Sequence, residues 1–405
     1  MTGMRLFVRL GLSLIVLLAG HRASAQGVDV TPLASPDAFS TPARDDTGLG
    51  PDLWRGASRR TIATVLPLLA ARPLSPAAAA LARRVLATGA PGPGPGGDDA
   101  VLTGVRASAL LAQGDPKAAA AILSRAPGVD RSPELSQAAA ESALLSQDDA
   151  RACAVAQNLS AGREEIYWLR LRAFCQAIGG QAPQAQLTFE LAQTQAKDAV
   201  FGRLMAAKLA GAGDPGAASL RNGLDFALSR NLGLDLSAAK PSPAVAASMS
   251  SAGPAPPSFD PTAAPAEVAP LAELLVRGDP IPESMWRAIS DLAVSADPKV
   301  RARGQAGLLL AAAFADPLGP DLRAAIAALP VAEGKAPLGR AIALDTAAAQ
   351  MLVGETAVLA LWISADAGAA GPGLADRVRI VRGLHRVGLD ADARAFALEG
   401  LLALK

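Results

Sequence analysis

The chain has 405 residues, 38 of them basic and 37 acidic, and 51% are hydrophobic, largely alanine and then leucine. So neutral a chain lacks the strongly basic face that nucleic-acid binding normally requires, and aromatics at 3% leave few stacking platforms for single strands or sugars. Alanine and leucine favour helix, and β-branched or aromatic runs of period two are scarce, so the composition predicts an all-α protein.

At the N-terminus Arg5 and Arg9 flank or precede the apolar run Leu10 to Gly20, and Ala23-Ser24-Ala25 supplies the small-x-small pattern of a signal-peptidase site. A run of about 11 residues is too short to cross a bilayer as a helix, which takes roughly 20. His21 stands where a lipidated Cys would be needed. Residues 1–25 are therefore expected to be a secretory signal cut between Ala25 and Gln26. The mature chain is expected in the periplasm or outside the cell, with no stable membrane insertion. Loss of Arg5, Arg9 and Arg22 and of no acid leaves 35 basic against 37 acidic residues.

Residues 26–51 are polar, rich in Pro and Asp and aperiodic, which predicts a flexible arm. Residues 52–97 read as short helices, with Ser75-Pro76 as an N-cap and N1 proline, closed by the loop Pro91 to Gly97. Residues 98–235 form a repeat block, 236–266 a Pro/Ala/Ser-rich linker, and 267–405 a second helical block. Asp-Pro pairs at 115–116, 214–215, 279–280, 297–298 and 316–317 are expected to start helices. Asp accepts orphan N–H groups of a first turn, and Pro at N1 has no N–H to leave unpaired.

Within 98–235 a turn recurs every 33 residues, at Gly114, Gln147, Gly180 and Gly213. Seven residues earlier lie Ala107, Ala140, Ala173 and Ala206; five residues later lie Ala119, Ala152, Ala185 and Ala218. Leu102, Leu135, Trp168 and Phe201 form a third, large apolar column in the same register. Antiparallel helices joined by a tight turn approach closely where small side chains face each other, and larger apolar groups fill the space one or two turns away.

A small residue, seven positions, a Gly-Asp turn, five positions and Ala resembles the tetratricopeptide repeat (TPR). Ala107 and its equivalents match that family's small residue in helix A, and Ala119 and its equivalents its helix B alanine. The period of 33 rather than 34 and the weak helix A signature depart from the family, and the resemblance covers about 100–232. It implies an α-solenoid of helical hairpins, followed here by the second helical block, and a surface that grips peptides or proteins. Gly354 and Gly388, 34 apart, suggest that the C-terminal block continues the theme; a non-repeating bundle is the other reading.

On this register Cys153 lies in helix B of the second hairpin and Cys175 in helix A of the third, on neighbouring helices. In an exported chain they are expected to form a disulfide, the alternative being two separate buried thiols. His385 is the single histidine of the mature chain and has no triad or metal-ligand neighbours in sequence. Glu164-Glu165 sits at an apparent helix start, where carboxylates favour the dipole, and the 91–97 loop lacks the Lys of a phosphate loop. No catalytic residue, metal site or cofactor is therefore expected.

The densest aromatic and basic cluster is in helix A of the third copy. The resemblance places Tyr167, Arg170 and Phe174 on the groove-lining face, with Glu141 and Arg203 on neighbouring helices, and Trp168 in the core. Tyr and Arg are enriched at binding hot spots; the alternative makes these packing residues and a solvated arginine stripe. The sequence thus points to a non-enzymatic envelope scaffold or adaptor for a protein or peptide partner, with no nucleic acid. An accessory or glycan-binding protein of cell-wall metabolism, or a structural envelope protein, are the alternatives.

Overall fold

In the computed structural model the described residues are 37–44, 46–94, 99–211, 214–250, 257–315, 317–330 and 333–404. The expected signal peptide, its Ala25–Gln26 junction and the first part of the arm lie outside them. The described residues form nineteen α-helices and no strand, as the composition predicts.

Two N-terminal helices, α1 (Arg59–Ala71) and α2 (Pro76–Ala87), precede the repeat block. Three hairpins of the block come next: α3 (Ala100–Ala112) with α4 (Pro116–Leu123), α5 (Pro133–Leu145) with α6 (Asp149–Asn158), and α7 (Ile166–Ile178) with α8 (Ala182–Gln195). Then come α9 (Ala199–Ala210), α10 (Gly223–Asn231) and α11 (Pro243–Met249). The C-terminal block holds α12 (Ala269–Arg277), α13 (Glu283–Ala293), α14 (Pro298–Ala312) and α15 (Pro320–Ala327). It ends with α16 (Leu338–Ala349), α17 (Val353–Ala367), α18 (Leu374–Arg386) and α19 (Asp390–Leu402).

One backbone device makes the hairpins. Gly114 takes a left-handed φ of 79°, and the next N–H, of Asp115, donates to the Leu110 carbonyl at 2.8 Å. This six-to-one bond satisfies an orphan carbonyl at the helix end. Gln147 (φ 61°) and Gly180 (φ 74°) repeat it through Asp148 to Ala143 and Gln181 to Gln176. The same turn recurs at Met351 (φ 58°) and Gly388 (φ 79°), between α16 and α17 and between α18 and α19. Two C-terminal hairpins therefore share the turn, but Met351, not Gly354, is the equivalent of Gly388. A methionine in the left-handed position hides that register from the sequence.

The three columns hold for three copies. Ala107, Ala140 and Ala173 are fully buried, as are Ala119, Ala152 and Ala185, and Leu102, Leu135, Trp168 and Phe201 all lie in the core. The fourth copy stops after its first helix. Gly211 (φ 62°) ends α9, Gly216 (φ 64°) turns the chain again, and residues 214–221 run without helix, leaving Ala206 exposed. Of the Asp-Pro pairs, Asp115 and Asp297 do cap α4 and α14. Asp214 instead accepts the N–H of Gly216 in a loop, and the 279–280 pair precedes α13 by two further residues. Asp316 is outside the described residues.

The blocks do not lie in chain order. α1 packs against both α3 and α17, while α2 packs against α3, α17 and α19. α12 and α14 then cover α19, and α13 pairs with α14. The two N-terminal helices thus sit inside the array, each between the repeat block and the C-terminal hairpins. Trp54 is buried over Gly354, whose N–H donates to the Leu53 carbonyl at 2.9 Å, and a Cβ there would meet the Trp54 ring at 2.7 Å. Glu399 of α19 accepts the Ala77 N–H at 2.9 Å, and Arg72 pairs with Asp366 at 2.7 Å.

The expected flexible arm is docked where it is described. Phe39 and Ala38 are buried, and the Ala43 and Ala90 N–H groups bond to Ala87 and Phe39 carbonyls across to the end of α2. Arg106 of α3, 0% exposed, holds it there: its guanidinium donates to the carbonyls of Leu86, Ala38, Thr41 and Thr88 at 2.8–3.1 Å. Burial pushes its pKa down to about 9, opposed by Asp37, so it is a cation at neutral pH. The expected linker is likewise partly structured, because α11 buries Val245 against α3, α4 and α5, and Phe259 packs on the core. Polarity alone predicts an arm and a linker; backbone carbonyls collected by one buried Arg and a few apolar anchors reverse that. Arg106→Ala strands four carbonyls, three of them in buried bonds, and is expected to lower the free energy of unfolding by about 3 kcal/mol or more. Arg106→Lys, lacking the fork, should recover less than half of it, as read from urea denaturation.

Candidate functional site

The five residues expected to face a partner do come together, but around the protein's own α10. Glu141 of α5 accepts the Gly223 N–H at 2.8 Å, at the start of α10, where the helix dipole favours a carboxylate. Burial raises the Glu141 pKa, with the Gly223 N–H and the Tyr167 hydroxyl opposing. Burial, then the Glu141 charge, holds the Tyr167 hydroxyl well above its ordinary range. Arg170 donates to the Ala196 carbonyl at 3.0 Å, faces Asp198 at 3.5 Å and stacks over Phe201 at 5.6 Å. Arg203 donates to the Ala217 carbonyl at 2.7 Å, fastening the loop that replaces the missing helix. Phe174 is fully buried with Trp168, Leu171 and Leu204.

The helix that occupies this face is built to stay. Asn222 caps α10 by accepting the Asp225 N–H at 2.8 Å, and buried Asp225 is held by Arg221 at 2.6 Å and the Ser219 hydroxyl at 2.7 Å. Leu224, Ala227 and Leu228 enter the core cluster that contains Trp168 and Phe174. Residues 214–236, which the repeat register assigns in part to the second helix of a fourth copy, instead fold back here as a loop and α10. Tyr167, Arg170, Phe174, Glu141 and Arg203 therefore hold the end of the repeat block together.

Cys153 of α6 and Cys175 of α7 form the expected disulfide, with Cα atoms 5.5 Å apart. It joins the second and third hairpins, which the repeat register places side by side. His385 pairs with Asp390 across the α18–α19 turn and lies edge-on to Phe314.

A wide open groove lies elsewhere, where α2 meets the C-terminal block. It has a volume of about 660 Å³, within the range of ligand-binding clefts. Arg83 and Arg84 of α2 and Arg44 of the docked arm line it, with Leu275 and Val276 of α12, Phe259, and Asp392, Arg394 and Leu398 of α19. Arg84 pairs with Asp392 and donates to the Thr47 carbonyl at 2.7 Å. Arg44 pairs with buried Asp115 at 3.1 Å, and Arg83 donates to the Gln113 carbonyl at 2.9 Å. Burial lowers the Arg83 pKa, Asp115 opposing and Arg44 adding to the effect. Burial raises that of Asp392, against Arg84. Arg394 is half-buried and has no hydrogen-bond or ion-pair partner among the described residues.

Sequence reasoning missed this groove because its walls come from positions 44 to 398 and meet only through the stacking of α2 on α19. The adjacent Arg83-Arg84 on an otherwise apolar helix was the one local signal. Comparison with protein-family models, curated proteins and solved structures finds no match to this chain.

These contacts set two stability outcomes. Tyr167→Ala combined with Arg170→Ala is expected to destabilise by about 2–4 kcal/mol, through lost core packing and loss of the Arg170 contacts to the Ala196 carbonyl and Asp198, read as a lower thermal midpoint. Cys153→Ser is expected to cost about 3 kcal/mol in unfolding free energy for the loop it opens.

Proposed function

We propose that the protein is a non-enzymatic, exported scaffold or adaptor that holds a protein or peptide partner on a TPR-like array of helical hairpins. The observation that carries this reading is the amphipathic groove at the junction of α2, α12 and α19. It combines four guanidiniums, two carboxylates and an apolar wall in one open cleft of a chain whose charge is otherwise balanced. Arg and apolar anchors at the centre of a concave patch are the usual makings of a binding hot spot. Export is supported by the sequence of residues 1–25 and by the Cys153–Cys175 disulfide, which belongs to oxidising compartments. No helix of the described residues is long and apolar enough to cross a membrane.

The test is photo-crosslinking in the producing cell, with a photoreactive phenylalanine analogue at Val276 in the groove and, separately, at exposed Leu187 of α8. One or two proteins captured stoichiometrically from Val276 alone are the expected result, together with a mature N-terminus at Gln26. Capture of cell-wall fragments, or of nothing from either position, would overturn the scaffold reading.

A further inference from the structure

We infer that the groove between α2, α12 and α19 takes an extended acidic peptide in which carboxylate and apolar side chains alternate. The inference rests on the scaffold reading and names the chemistry of its partner.

The groove has two kinds of wall on different elements. Arg83 and Arg84 project from α2 and Arg44 from the docked arm, while Val276 and its neighbour Leu275 come from α12. Arg394 of α19 adds a fourth guanidinium, with the buried Leu398 one helical turn further on. Each guanidinium has five N–H donors. Those of Arg44 and Arg83 are only partly engaged, by Asp115 and the Gln113 carbonyl, and Arg394 engages none among the described residues. The two carboxylates lining the cleft do not balance this: Asp392 is taken by Arg84, and Asp46 is exposed at the rim. An incoming carboxylate would meet a planar fork suited to bidentate pairing.

The apolar wall separates a peptide from a bare polyanion. Val276 is 48% exposed beside a cluster of cations, a placement that has no use for a phosphate chain. A peptide in extended conformation sends successive side chains to opposite faces. Alternating acid and apolar residues would therefore satisfy the arginine wall with one face and cover Val276 and Phe259 with the other.

The experiment uses the purified mature chain and fluorescence anisotropy of a labelled, acetylated hexapeptide of alternating glutamate and leucine. Saturable binding is expected, weakened about tenfold or more when glutamine replaces glutamate, and comparably by Arg394→Glu in the protein. Val276→Asp is expected to weaken it about fivefold, and Leu187→Asp on α8 to leave it unchanged, each variant keeping the wild-type thermal midpoint. No binding, equal binding by the Arg394→Glu protein, or equal binding of a glutamate–serine peptide would overturn the assignment. If the peptide fails while Val276 still captures a protein in cells, the scaffold stands and the acidic–apolar chemistry falls.

Discussion

The whole arrangement depends on the burial of one helix, α2, on both sides. α2 sinks Ala77, Ala78, Leu81, Ala82, Val85, Leu86 and Ala87, more than one face of a helix can hide against a single neighbour. α3 covers one side and α17 with α19 the other. The C-terminal hairpins therefore finish an array that α1 and α2 begin, and one continuous core runs from Phe39 to Leu401. Arg106 works at the same junction. A guanidinium that collects four carbonyls converts a polar, proline-rich segment into part of the wall. A buried cation is tolerable only when it is so completely bonded.

A repeat array grows by offering each new helix an apolar face, and it stops where that offer is withdrawn. In three copies an alanine column in helix A is covered by an alanine-bearing helix B, so the backbones come close and the large column fills the remaining space. At Ala206 no helix B arrives. The chain instead runs through Gly211 and Gly216, returns as α10 and fills the inner face between α5 and α9. That return explains why the aromatic and arginine residues of α7 are structural: the groove they would have lined is occupied by Leu224 and Leu228. The disulfide between α6 and α7 ties the third hairpin to the second.

The open groove is a by-product of the same stacking. It exists because α2, a helix from the first quarter of the chain, is laid beside α19, a helix from its last few residues. α12 and residues 257–259 then fall short of closing the gap. Its charge is set by where each arginine finds a partner. Arg84 meets Asp392 and Arg44 meets Asp115, whereas Arg83 has a backbone carbonyl, leaving its charge unopposed by a dedicated carboxylate.

The sequence by itself determined the helical class, the 33-residue hairpins, their turns and the pairing of Cys153 with Cys175. These are local or nearest-neighbour properties, written in propensity, in alanine columns at fixed offsets and in left-handed turn residues. They were legible through the first three turns, but not at the fourth, where the glycine pattern persists in sequence without a second helix, nor where Met351 takes the left-handed position. Only the tertiary structure decided that the C-terminal hairpins stack on α1 and α2, that Arg106 recruits residues 37–44, that α10 covers Tyr167 and Glu141, and where the arginine groove opens. Those outcomes join residues up to some hundreds of positions apart. They depend on which apolar faces remain uncovered after each hairpin has formed, a quantity that no window of the sequence contains.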